Sequence, residues 1–354
     1  MHFPRVPPEG RQIRETMPFL KRILEYPSLS IVGLEKNTGK TVCLNYVLRR
    51  LDEMGVSCAV TSIGVDGEQT DSVYGSAKPE VTLYEGTTFI TSERHYRLRQ
   101  AVTEIVAVDE RRTSLGRLVT GRVRVAGKML LSGAASTEML RRQIADFRQR
   151  GVRLTIVDGA LSRLSLASPT VTDAMVLATG AAVSPNLMQL VSRTRFVHRL
   201  ISLPEVDAPV REALAEAGSG LWAVDDEGKA HDLHVASVFL LDRNKENLFR
   251  FGHTLYASGA VSDRLLKSLT AHPEVDRVTL VVRDFTKLFL TPEVFGAYVA
   301  RGGRLQVLQQ SKLVAVCLNP TSPQGYTLRS EEACAALQEA LGIPVYDVMK
   351  IPCR

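Results

Sequence analysis

One nine-residue segment constrains this chain more than any other: Gly33-Leu34-Glu35-Lys36-Asn37-Thr38-Gly39-Lys40-Thr41. It follows a short apolar run, Ser28–Gly33 (SLSIVG), that reads as a buried strand. It precedes a helical pattern from about Gly39 to Met54, in which Leu44, Val47, Leu48, Leu51 and Met54 recur at helical spacing and Gly55 supplies the stop. A glycine-bearing turn between a strand and a helix is the context a phosphate-cradling loop requires. The backbone N–H groups of Asn37, Thr38 and Gly39, backed by the helix N-terminus, would wrap phosphates. Lys40 would reach the β and γ phosphates, and the Thr41 hydroxyl would ligate Mg²⁺. The bland alternative is a strand–helix turn that carries Lys-Thr by chance.

The next strand, Val56–Gly64 (VSCAVTSIG), completes a strand–helix–strand crossover and therefore a parallel sheet. Residues 79–127 change character: short β-rich runs lie between glycine turns and read as hairpin insertions. Lys128–Ser132 resumes the sheet, a helix runs from about Thr137 to Arg150, and Arg153–Val157 and Asp173–Thr179 are buried strands. A hairpin turn sits at Asp226–Lys229. Later apolar runs at Arg277–Val282, Arg304–Leu308 and Leu313–Leu318 alternate with helical patterns and read as continuing the same sheet. The expected organisation is a leader over 1–27, with a short amphipathic helix at Ile13–Tyr26, and one large α/β domain over 28–354. Its β-rich insertions lie near 79–127 and 216–250, and a boundary near residue 200 is the alternative.

Two carboxylates could complete a magnesium–nucleotide site. Asp158 follows the apolar strand RLTIV and begins Asp158-Gly159-Ala160; it would hold the metal directly or through water. Asp66 follows the strand after the loop helix and could serve the metal or the attacking water, with Glu68 and Asp71 as weaker candidates. Either aspartate could instead form a turn beside its glycine. Lys40, Asp66 and Asp158 are thus the catalytic candidates, and Thr41, Asp66 and Asp158 the metal ligands. Asn319, in the turn after the strand LVAVCL, is a candidate for base contact, and an ordinary strand-ending turn is the equal alternative. The nearest match to a guanine-reading N-K-x-D is Asn244-Lys245-Glu246-Asn247, which lacks the final carboxylate, so ATP is favoured over GTP.

Composition sets the outer bounds. Hydrophobic residues at 45% and charged residues at 23% exclude disorder as the dominant state. Aromatics at 6% with one Trp argue against a carbohydrate platform. Forty-four Lys and Arg against 38 Asp and Glu give +6, which accommodates a phosphate ligand without requiring nucleic acid. The arginine stretch Arg111, Arg112, Arg117, Arg122 and Arg124 alternates with apolar residues like a half-exposed strand and lacks interleaved aromatics, against nucleic-acid binding. Five irregularly spaced cysteines fit a reducing cytoplasm rather than a disulfide framework. No h-region of a signal peptide and no apolar run of about 18 residues is present, so no membrane is expected. His231-x-x-His234 lacks a third ligand nearby and reads as a surface pair, and Cys43 reads as a packed small residue.

Gly33 lies six positions before Gly39, one more than the strict pattern allows. This longer G-x5-G-K-T form resembles the loop of dethiobiotin synthetase and related P-loop proteins, and Asp158-Gly159-Ala160 resembles their E-G-A segment. The partitioning ATPases with deviant loops carry a signature lysine five positions before the invariant one; Glu35 stands there instead. Three segments together, GLEKNTGKT (33–41), SIGVDGEQTDSVYGSAKP (62–79) and DGALSRLSLASPTVTDAMVLATGA (158–181), resemble the small P-loop subunit of lysine 5,6-aminomutase reactivases. TSLGRLVTGRV, LLSGAAST and LYASGAVSDRLL (255–266) fit as well. The resemblance implies a P-loop NTPase-like α/β fold with a mostly parallel sheet flanked by helices. It implies Mg²⁺-dependent ATPase activity and a role in amino-acid fermentation. The client would be an adenosylcobalamin-dependent aminomutase, which also uses pyridoxal phosphate. The partner would be a MutS-related ATPase subunit, and the outcome would be release of damaged cobalamin. The competing expectation is an ATP-dependent ligase or kinase like dethiobiotin synthetase, for which Lys36, Lys78 and Arg163 could anchor a small substrate.

Overall fold

The computed structural model describes residues 19–63, 80–160, 168–235 and 248–351. The chain divides into two compact units, Met1–Arg195 with Lys312–Arg354, and Phe196–Ser311. Each has its own sheet.

Among the described residues the first unit holds, in chain order, a short helix α1 (Leu20–Ile23), β1 (Ser28–Gly33), α2 (Lys40–Glu53) and β2 (Cys58–Ser62). All six residues of β1 are buried, as expected for a strand covered on both faces. On α2, Cys43, Leu44, Val47, Leu48 and Leu51 are buried at helical spacing. Fully burying a leucine is worth roughly 1.5–3 kcal/mol, so this one face outweighs the ordering of its few side chains. Gly55, at φ 66°, ends the helix where a left-handed residue is needed.

Strands β3 (Val81–Leu83) and β4 (Thr88–Ser92), helix α3 (Glu93–Arg97), and strands β5 (Val102–Thr113), β6 (Gly116–Val125) and β7 (Gly127–Met129) follow. The β5–β6 hairpin forms one edge of the main sheet, and β4 joins it to β2. The segment Lys128–Ser132 does not resume the main sheet. Instead β7 pairs antiparallel with β3 in a two-stranded ribbon. Apolar patterning marks a strand but not its partner. Helix α4 (Thr137–Gln149) is capped by the Ser136 hydroxyl, which accepts from the Met139 N–H at 3.2 Å. Strands β8 (Leu154–Ala160) and β9 (Ala174–Gly180) and helix α5 (Leu187–Ile201) complete this stretch.

The second unit holds α6 (Ala208–Ala213), β10 (Leu221–Val224), β11 (Ala230–Val235), β12 (Thr254–Ala257), β13 (Val261–Ser262), α7 (Asp263–Thr270), β14 (Thr279–Val282), β15 (Leu288–Phe289), α8 (Pro292–Ala300) and β16 (Arg304–Val307). Its sheet runs β11-β10-β12-β14-β16, with β12, β14 and β16 parallel. The runs at 277–282 and 304–308 therefore do not extend the first sheet. A strand–helix alternation looks the same in sequence whether it adds to one sheet or starts another. The chain then returns to the first unit with β17 (Lys312–Asn319), α9 (Ser330–Leu341) and β18 (Val345–Tyr346).

The main sheet has the order β18-β17-β9-β1-β8-β2-β4-β6-β5, parallel from β18 through β4. From β1 the chain goes outward to β2, returns with β8 between them, and then places β9 on the other side of β1. The direction of winding thus reverses around β1. In open parallel sheets, ligands bind beyond the carboxyl ends of the strands at such a reversal. No helix among the described residues is long and apolar enough to cross a membrane.

Candidate functional site

The loop 33–41 leaves the carboxyl end of β1 at that reversal. Gly33 is crowded rather than strained. A Cβ there would lie 2.3 Å from the Thr38 hydroxyl oxygen and 2.8 Å from Cγ of Lys40. The Lys40 side chain therefore folds back across the end of β1, and its Nζ donates to the Glu35 carbonyl at 3.4 Å. Thr38 is buried, and its hydroxyl donates to the same carbonyl at 2.9 Å. The loop is also tied to the sheet, because the Leu34 N–H donates to the Ala178 carbonyl at 2.9 Å.

Asn37 (φ 61°) and Gly39 (φ 89°) are left-handed, and Gly39 is the N-cap of α2. Such alternation gathers backbone N–H groups into an anion-binding concavity. Gly39 brings no side chain to cap α2, and no acidic residue lies in its first turn. The positive end of the helix is thus left for a ligand anion.

Burial holds the Lys40 ammonium below its usual pKa, the Asp158 carboxylate opposes that shift, and Lys36 adds to it. Asp158 lies on β8, in register with Ile31 of β1 and Ser62 of β2. Its carbonyl accepts from the Ser62 hydroxyl at 3.2 Å. The strand continues through Ala160, so Asp158 lies inside its carboxyl end rather than after it. The sequence boundary fell short because the charged Asp158 itself, followed by Gly159, interrupts the apolar run.

Asn319 ends β17 and packs on the loop. Its Nδ2 donates to the Asn37 carbonyl at 3.3 Å, and a Cβ on Gly39 would lie 2.7 Å from the Asn319 Cβ. Its carbonyl accepts from the Ala181 N–H at 2.9 Å. The loops after β1, β9 and β17 are thereby joined. Gly33, Asn37, Thr38, Gly39, Lys40, Thr41, Asp158 and Asn319 all belong to this one unit. Asp66, Glu68, Asp71, Lys78, Arg163 and Asn244–Asn247 lie outside the described residues.

Sequence reasoning missed Arg193. On α5, it donates from Nη1 to Glu35 Oε1 and to the Val183 carbonyl, each at 3.1 Å. It sits among polar residues of an amphipathic helix, and nothing in that pattern marks it.

The residues fit a magnesium–nucleotide ligand. The cradle is one that a Cβ at Gly33 or Gly39 would fill, and a desolvated cation lies across it. Among the described residues no group of three His, Cys, Asp or Glu side chains could hold a metal by itself. Magnesium at phosphates needs only one or two protein ligands, which Thr41 and Asp158 could supply. Comparison with protein-family models, curated proteins and solved structures returned no match.

Proposed function

We propose that the first unit binds Mg-ATP at residues 33–41, with Lys40 on the phosphates, Thr41 and Asp158 toward the metal, and Asn319 toward the base. The observation that carries this reading is the Lys40 ammonium, desolvated and drawn back over Gly33 on the Asp158 side of a bare helix N-terminus. A partly buried cation beside a helix N-terminus that carries no acidic cap gains most from an anion. Bound magnesium would neutralise phosphate charge. Lys40 keeps its proton and lends charge, and the loop N–H groups fix the phosphate register.

The wider role proposed is that of the ATP-hydrolysing subunit of a reactivating factor. Its client is an adenosylcobalamin-dependent amino-acid aminomutase of the lysine 5,6 type, and a MutS-related ATPase subunit is its partner. What supports this role is the set of segments at 33–41, 62–79, 158–181 and 255–266. Nucleotide state could act on a client only through contacts that differ between the ATP and ADP forms. Inactivated aminomutase, supplied with ATP, Mg²⁺, adenosylcobalamin and both subunits, should regain activity with the wild-type chain and not with Lys40→Ala. Equal recovery with Lys40→Ala would sink the nucleotide-driven role. ATP turnover that depends on a small carboxylate or amine without any client would instead favour a ligase.

A further inference from the structure

A carboxylate is a poor residue to place in an anion-binding loop. Glu35 stands five positions before Lys40, on the loop that would wrap the phosphates, and its charge would repel them. Its partner is Arg193, brought from α5, across 158 positions of sequence. The guanidinium is held at two points, by the Glu35 carboxylate and by the Val183 carbonyl, both at 3.1 Å. Val183 lies in the loop after β9, so the arginine is fixed beside two of the three joined loops.

The pair is exposed, with side chains 57% and 46% accessible. An ion pair so open to water contributes only about 0–1 kcal/mol. It is therefore a weak structural brace. A nucleotide polyphosphate, with its greater total charge, would compete for the same guanidinium on favourable terms, and the planar fork of arginine suits two oxygens at once.

We infer that Arg193 is a second cation of the phosphate site, stationed at the loop by Glu35 and handed to the nucleotide phosphates on binding. This rests on the reading of 33–41 as a nucleotide loop. Glu35 then has a purpose: it holds in place, from within the same chain, a positive charge that the loop itself does not carry at that position.

The test is a double-variant cycle read by calorimetric titration of Mg-ATP and AMP, with thermal unfolding of each variant as a fold control. Arg193→Ala should weaken Mg-ATP by about tenfold or more while leaving AMP within about twofold, because a charged hydrogen bond to phosphate is lost. Arg193→Lys should recover part of the loss. Glu35→Gln should bind Mg-ATP at least as tightly as wild type. The combined Glu35→Gln/Arg193→Ala protein discriminates the roles. If it stays weak, Arg193 serves the nucleotide directly. If it returns to wild-type affinity, Arg193 only neutralises Glu35 and the inference is overturned. Unchanged affinity in Arg193→Ala overturns it too. A wild-type chain that binds Mg-ATP no better than Lys40→Ala would remove the nucleotide loop itself, an outcome distinct from the failure of Arg193 alone.

Discussion

Asn319 Nδ2 donates to the Asn37 carbonyl at 3.3 Å, across 282 positions of sequence. That bond fastens the end of β17 to the left-handed residue of the loop. Asn319→Ala should cost about 1 kcal/mol of stability, the usual net value of one such bond. It should also weaken Mg-ATP several-fold, because Asn37 loses its tether. Thermal unfolding and titration calorimetry read the two effects separately. A variant as stable and as tight as wild type would deny Asn319 any part in the site.

Glycine substitutions should separate crowding from backbone strain. Gly151, at φ 79° with nothing within 4 Å of an added methyl, carries only the cost of its left-handed backbone. Gly151→Ala should lose about 1 kcal/mol, with nucleotide binding intact. Gly33 has no such strain, but its methyl would meet Thr38 and Lys40 below 3 Å. Gly33→Ala should abolish Mg-ATP binding while the chain still unfolds cooperatively. Gly39→Ala carries both penalties, at φ 89° and 2.7 Å from Asn319, and should be the least stable of the three.

The depressed pKa of Lys40 has a sign that can be checked. Between its lowered native value and 10.5 in the unfolded chain, the unfolded state holds more protons. Stability should therefore rise with pH through that alkaline window, as the buried charge is relieved. Lys40→Met should flatten this component of the slope. Phosphates restore the charged form, so Mg-ATP binding at alkaline pH should take up protons. Calorimetry in buffers of different ionisation heat measures that uptake, and none in the wild type would place Lys40 away from the phosphates.

The cysteines should react in a fixed order. Cys43 and Cys317 are buried with sulfurs 3.5 Å apart. The contact with Cys43, together with burial, pushes the Cys317 thiol well up. Burial pushes the Cys58 thiol up to about 12. Cys334 is half-buried, and its thiol is raised by burial as well. Among these four, iodoacetamide should label Cys334 first, and the other three only on unfolding. Peptide mass spectrometry over a time course gives the order; early labelling of Cys43 would mean that α2 opens readily.

The strand–loop–helix core was legible in the sequence because three local signals agree there: the apolar run of β1, the glycines at 33 and 39, and the helical spacing of Leu44, Val47, Leu48 and Leu51. The candidacy of Asp158 was legible too, since it sits at the end of an apolar strand. Its neighbours were not. That β8 lies directly between β1 and β2 is a matter of long-range pairing, which no local pattern encodes. The same limit hid the separate sheet of residues 196–311 and the pairing of β7 with β3. Arg193 was invisible for another reason. Its neighbours on α5 satisfy the polar face of an amphipathic helix, so a functional arginine and a solvated one look alike.

The first unit is assembled from two stretches of chain, with residues 196–311 inserted between them. A ribosome delivers β1, the loop and β8 first, and Asn319 only after the whole insertion has emerged. At about 5–20 residues per second the wait is on the order of 10 s. Through that interval the nascent sheet lacks β17 beside β9, and the loop lacks its tether. The proposed nucleotide loop would thus reach its full affinity only late in synthesis, so tight ATP capture would report on completion of the chain as well as on its fold.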